Sequence, residues 1–210
     1  MSQHYRSHIF LGSHAPLSTL AGAGLLIMGS GRTAYALLTA GALVWVYALT
    51  VLVLTAAKPL LPVRGKTALE IFTASFFGSF FLLLFSFFNP LLSMELTLLV
   101  LLTPVSCVVS QVCRRTGNLE AGQAVGRALL EGLILGLLVL ALALIREPLG
   151  FGSLSVPGGP RGIILFFDYG GLYFPVKTAA VSSGALIFLG YAVVIFRRCR
   201  SRYVHPEDTE

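Results

Sequence analysis

The apolar positions of this chain fall into long runs separated by short basic or glycine- and proline-rich stretches. Residues 33–56, "TAYALLTAGALVWVYALTVLVLTA", carry no charge. Residues 69–88 carry only Glu70, and residues 124–145 carry Arg127 and Glu131. Residues 178–196 form a further run without charge. A spanning helix needs roughly 20 apolar residues, so each of these four runs predicts a span. Residues 16–28 are short for a crossing, and residues 96–112 are interrupted by Pro104 and end on polar side chains. Counting both gives six spans, with the first and fourth irregular. A signal peptide ending at "TAYA" would leave five, but Arg32 sits between the apolar run and that site.

Six spans divide into two halves of three, and the irregular span opens each half. The expectation is an all-α integral membrane protein made of two inverted three-span repeats, its first and fourth spans broken half-helices. The halves share no visible sequence identity, so the repeat is inferred from layout. Broken backbone at membrane depth is tolerated where it is buried in protein or lines a cavity. "AGAG" (Ala21, Gly22, Ala23, Gly24) and "TPVSC" (Thr103 to Cys107) are therefore expected to face each other near the centre. Gly132 and Gly136 form a GxxxG pair that lets two helices approach closely. The whole chain reads as one transmembrane domain with a basic, then acidic, tail over residues 197–210.

Composition agrees with this class. The 210 residues are 56% hydrophobic and 11% charged, against about 25% charged in soluble domains. The mean hydropathy is +0.85. The net charge of +6 reads as lipid-side charge and not as a nucleic-acid surface, because the cations stand between apolar runs. With six spans, eleven of the fifteen Lys and Arg residues fall on the side of the termini. Arg32, Arg146, Arg161 and Lys177 fall on the other. Both termini are thus expected in the cytoplasm.

Candidate chemistry is sparse. His4, His8, His14 and His205 all lie in terminal segments, so no span offers a haem ligand. There is no CxxC, no zinc spacing and no P-loop. Cys107 lies inside the fourth span, where it is either a small buried hydrophobe or a ligand. Cys113 is six residues on, about 240° around a regular helix, so the two are not expected to share a metal. Cys199, like Cys113, stands in a basic cluster facing a reducing compartment. Glu131 is an acid within a span, either an ion or proton site or a partner of Arg127 one turn earlier. Gln111 reads as interfacial and Trp45 as packing. Residues 146–162 read as an extracytoplasmic loop without regular structure, followed by an apolar aromatic stretch lying in the interface.

Three stretches resemble a known family, the six-span membrane subunits of the Rnf and Na+-translocating NADH:quinone oxidoreductase (Nqr) complexes. They are "VSCVVSQVC", "LLEGLILGLLVLALALIREPLGFGSL" and "SSGALIFLGYAVV", within a similar layout of spans. The match covers roughly residues 17–196 and is clearest from about Val105 onward. Its most specific piece is R-E-x-L-G-x-G, which places Arg146, Glu147, Leu149, Gly150 and Gly152 on the family pattern, with Glu131, Gly132 and Gly184 on flanking motifs.

The resemblance implies a subunit of an ion-translocating oxidoreductase with no complete active site of its own. It would pass electrons across the bilayer, coupled to Na+ or H+ movement. It implies a homologous membrane partner of opposite topology, RnfA/NqrE-like, and further subunits, with cytoplasmic termini matching the RnfE/NqrD-like member. It also implies a [2Fe–2S] cluster shared with that partner, two cysteines from each, with Cys107 as one ligand. The first-span cysteine of the family pattern is Ala23 here, and no cysteine precedes Cys107. The covalent-flavin motif is not matched either, since its acceptor position is Leu186. Two alternatives stand beside this reading: a divergent paralogue that keeps the fold as a structural subunit without a redox centre, and a small-solute or ion transporter.

Overall fold

A computed structural model describes residues 20–58, 65–116, 119–158, 162–168 and 181–203. These residues are mostly helical. In chain order they form α1 (Leu20–Gly29), α2 (Thr33–Ala57), α3 (Lys66–Phe88), α4 (Pro90–Val109), α5 (Val112–Thr116) and α6 (Ala121–Phe151). A hairpin of β1 (Ser153–Pro157) and β2 (Ile163–Asp168) follows, then α7 (Ser182–Tyr203). Four helices, α2, α3, α4 and α6, are long and apolar enough to cross a membrane. Their outer faces carry exposed Phe72, Phe87, Phe88, Met94 and Leu98, the reverse of a water-soluble surface.

The core forms around α2, which packs on α6, α3 and α4. Its inward positions alternate small and large residues, including Ala36, Ala42, Leu43, Val46 and Tyr47, all fully buried. The closest seam is with α6. A Cβ placed on Gly136 would lie 2.8 Å from Ala40 Cβ, and one on Gly132 would lie 3.2 Å from Val44 Cα. The GxxxG pair thus serves packing within the chain, between α6 and α2.

The fourth span differs from the expected broken half-helix. Helix α4 runs without interruption through Pro104. Proline removes the donor that would bond the carbonyl four residues earlier, here that of Val100. The Thr103 hydroxyl takes over and donates to Val100 O at 2.7 Å. Room for the proline ring comes from Gly78 of α3, where an added Cβ would lie 2.8 Å from Pro104 Cγ. The chain breaks later, at Ser110 and Gln111, whose φ of 52° is left-handed. A non-glycine residue there costs of order 1–3 kcal/mol, so surrounding contacts must hold the break in place. Gln111 is exposed, at the turn into α5.

The all-α expectation is also corrected at the loop after α6. Residues 153–157 and 163–168 pair as an antiparallel hairpin, with a register shift between Leu154 and Ser155. "SLSVP" and "IILFFD" are short runs of alternating or β-branched residues, a strand signal that the glycines and prolines between them masked. Helix α6 ends on Gly152 in the left-handed conformation, φ 65°, with its N–H on Pro148 O, and this cap turns the chain into β1.

Several expected boundaries move. The first span appears as the ten-residue α1, whose start at residues 16–19 lies outside the described residues. The fifth extends to residues 121–151, and α7 continues to Tyr203, well past residue 196. Residues 178–180 and 204–210, and all four histidines, lie outside the described residues. Helix α1 packs on α4 and α6, and a Cβ on Gly24 would lie 3.7 Å from Leu102, beside Thr103. The two glycine- and proline-bearing stretches are therefore neighbours. The side chains of residues 21–23, Ala23 among them, are outside the described set.

Candidate functional site

Two buried polar groupings bring side chains from several helices together among the described residues. The first surrounds the α4 break. Tyr47 of α2 is fully buried, and its hydroxyl lies 3.1 Å from Ser106 Oγ and 3.3 Å from Ser110 Oγ. Ser110 Oγ donates to Cys107 O at 2.8 Å. Both serines and Cys107 belong to one face of the last turns of α4, so Tyr47 meets them together. Glu131 of α6 is buried and acts electrostatically on Tyr47, as does Cys107. Glu70 of α3 is buried too, and bears on Cys113.

The break changes the geometry of the two cysteines. On a regular helix they would stand about 240° apart. The left-handed Gln111 turns the chain into α5, and Cys113 packs against the core cluster that contains Cys107. The neighbouring Cys107 first, then burial and Glu70, push the Cys113 thiol above its ordinary range. Both cysteines are free.

These residues make a poor cluster site. A [2Fe–2S] cluster takes four thiolates. Cys107 is 0% exposed and packs within the chain's own core, among Leu25, Tyr47, Ala74 and Ala128, rather than on a face open to a partner. The first-span position is Ala23, and no cysteine precedes Cys107. Among the described residues no three His, Cys, Asp or Glu side chains gather as a metal site.

The second grouping is built on the adjacent Arg146 and Glu147, near the end of α6. Arg146 donates to Ile27 O at 3.0 Å and to Ser30 Oγ at 3.1 Å, at the C-terminus of α1. It also donates to Val181 O at 3.0 Å, just before α7. The Glu147 carboxylate accepts the Thr33 N–H and the Thr33 hydroxyl, both at 2.6 Å, at the N-terminus of α2. Ser155 of β1 closes the group, its carbonyl against the Thr33 hydroxyl. Each charge therefore sits at the helix end whose dipole it complements. Two successive residues clamp both sides of the α1–α2 turn and tie in the hairpin and α7. Neither Arg32 nor any other local side chain caps α2, so Glu147 supplies that cap from a distance.

Of the sequence candidates, the fold brings Cys107 and Glu131 to the first grouping, and Arg146 and Glu147 to the second. Pro104, Gly132 and Gly136 are packing positions, Gly152 is a helix cap, and Gly150 and Gly184 are buried beside the clamp segments. Tyr47, Ser106, Ser110, Glu70 and Cys113 were not singled out as site residues by the sequence. The available signal was the coincidence of Ser106, Cys107 and Ser110 at i, i+1 and i+4 in an apolar helix. Trp45 lies on the outer face of α2, its ring 6.5 Å from that of Phe81. No protein-family model matches the chain, and no curated protein matches it.

Proposed function

We propose that the chain is a divergent membrane subunit of an Rnf/Nqr-type ion-translocating electron-transport complex, embedded with both termini in the cytoplasm. The observation that carries the reading is the Arg146–Glu147 clamp. The R-E-x-L-G-x-G stretch bears the most specific likeness to that family, and its two charges hold α1, α2, β1 and α7 together. A stretch used this way is retained for architecture, which is what a shared subunit fold requires. The chain pairs with a homologous membrane subunit of opposite topology, each a six-span inverted repeat.

Within that complex the chain acts as a structural subunit lining the ion path, and the cluster chemistry lies with its partners. The inward burial of Cys107 and the alanine at the first-span position support this over a ligand role. Glu131 and Tyr47 offer oxygens for Na+ or H+.

The test is purification of the tagged chain from its native membrane with whatever subunits accompany it, followed by iron analysis and EPR. Co-purifying flavin-carrying and membrane subunits are expected, with iron content unchanged in Cys107→Ala. Loss of a [2Fe–2S] signal in that variant would restore the ligand role. A chain that purifies alone and moves a solute in liposomes would replace the whole reading with a transporter.

A further inference from the structure

A cavity of about 500 Å³ opens at the end of the bundle where α2 and α4 begin and α6 finishes. Its walls combine Arg32, Glu95, Phe151 and Ser153 with Leu91 and the hairpin residue Leu165. Among the described residues the two charged side chains on its wall are opposite in sign, and each is held by a neutral group. The Arg32 guanidinium stands over the Phe151 ring, 5.7 Å from its centroid. The Glu95 carboxylate accepts a hydrogen bond from the Tyr35 hydroxyl. Arg32 and Glu95 line the same opening, with the Tyr35 hydroxyl on Glu95.

The depth of the cavity is set by the helices. Arg32 precedes the first residue of α2, and Glu95 lies five residues into α4, about 7.5 Å along its axis. That is the level of lipid headgroups if the spans cross a bilayer. The hairpin forms an apolar lip, with Ile164, Leu165 and Phe166 exposed, and the α4 side continues into exposed Leu91, Met94 and Leu98.

We infer that this cavity binds a phosphoethanolamine group, the phosphate on Arg32 and the primary ammonium on Glu95. Guanidinium and phosphate match in a two-pronged hydrogen-bonded pair. A primary ammonium donates to the second carboxylate oxygen. A quaternary ammonium has no such donor, and a glycerol headgroup offers neutral hydroxyls but no cation to balance the carboxylate. The lip and the apolar flank below suit acyl chains, so the lipid ester is the expected source and a soluble phosphoethanolamine ester the weaker one.

The experiment uses the full chain in neutral detergent, with thermal stabilisation and native mass spectrometry as readouts. Phosphatidylethanolamine, phosphatidylcholine, phosphatidylglycerol and soluble glycerophosphoethanolamine are added separately. Phosphatidylethanolamine is expected to bind best among the lipids. Arg32→Gln and Glu95→Gln are each expected to weaken it about tenfold, the usual scale for one charge-assisted hydrogen bond. Leu98→Gln, outside the cavity on the same flank, is expected to leave the headgroup preference intact. Binding by the soluble ester alone would assign the site to a solute. Equal binding of all three lipids, or an ethanolamine preference unchanged in both charge variants, would overturn the inference.

Discussion

The carboxylate of Glu147 accepts the backbone N–H of Thr33 at 2.6 Å across 114 residues of sequence. This contact caps α2, the helix on which the core is assembled, from the far end of α6. Glu147→Ala removes the acceptor and strands the buried Thr33 N–H, while the Thr33 hydroxyl keeps the Ser155 carbonyl. Leaving such a group unsatisfied costs about 1–3 kcal/mol. Glu147→Gln keeps a carbonyl oxygen and is expected to lose less. Thermal unfolding of the detergent-purified chain should rank wild type above Glu147→Gln and Glu147→Ala last. A melting temperature for Glu147→Ala equal to wild type would mean the cap carries no stability.

The α2–α6 seam gives a second prediction. A Cβ on Gly136 would meet Ala40 at 2.8 Å from its Cβ and 3.1 Å from its Cα. Two helix backbones must then separate, at about 1–3 kcal/mol for an overpacked core position. Gly126, on the same helix, faces open space, and alanine there should stabilise by about 0.5–1 kcal/mol through helix propensity alone. The single tryptophan, Trp45, lies on α2 beside this seam and reports on it. Gly136→Ala should shift its emission and lower the melting temperature, while Gly126→Ala should do neither. Equal behaviour of the two variants would remove the seam from the account.

Much of this was legible because apolar run length sets helices in a membrane-type chain. Runs at 33–56, 69–88 and 124–145 became α2, α3 and α6 with ends moved by a few residues. The GxxxG spacing pointed correctly to a close backbone contact. The errors arose where a local rule met tertiary compensation. Pro104 reads as a break, yet Thr103 and Gly78 make it compatible with a helix. The turn of α4 comes instead at Ser110 and Gln111, neither of which is a strong breaker by composition. That displacement placed Cys113 beside Cys107, which a regular helix would have kept apart. The hairpin was hidden because glycine and proline in its turn outweighed two short strands.

The Gly78–Pro104 contact can be tested as a pair. Gly78→Ala drives a methyl to 2.8 Å from the proline Cγ and should destabilise by about 1–3 kcal/mol. Pro104→Ala removes the ring and restores the missing amide donor to α4. The double variant should therefore recover most of what Gly78→Ala loses. Strictly additive effects in the double-mutant cycle would show that the two residues do not interact.

Cys113 predicts a pH effect with a definite sign. Its thiol is held above the ordinary range by neighbouring Cys107, by burial and by Glu70. An unfolded chain releases the same proton near an ordinary thiol value of about 8.5. The native state therefore binds this proton more tightly. Its contribution to stability is complete below that value and is lost as pH rises beyond it, until the native thiol itself ionises. Cys113→Ser does not titrate in this window and should have a flatter dependence of melting temperature on pH between 7.5 and 10. Other lysines and tyrosines titrate in both proteins, so the difference between the two profiles isolates Cys113. Maleimide labelling gives an independent reading, slow on the folded chain at pH 7.5 and fast once the chain is unfolded. Parallel melting profiles, or fast labelling of folded Cys113, would contradict the packing of Cys113 beside Cys107.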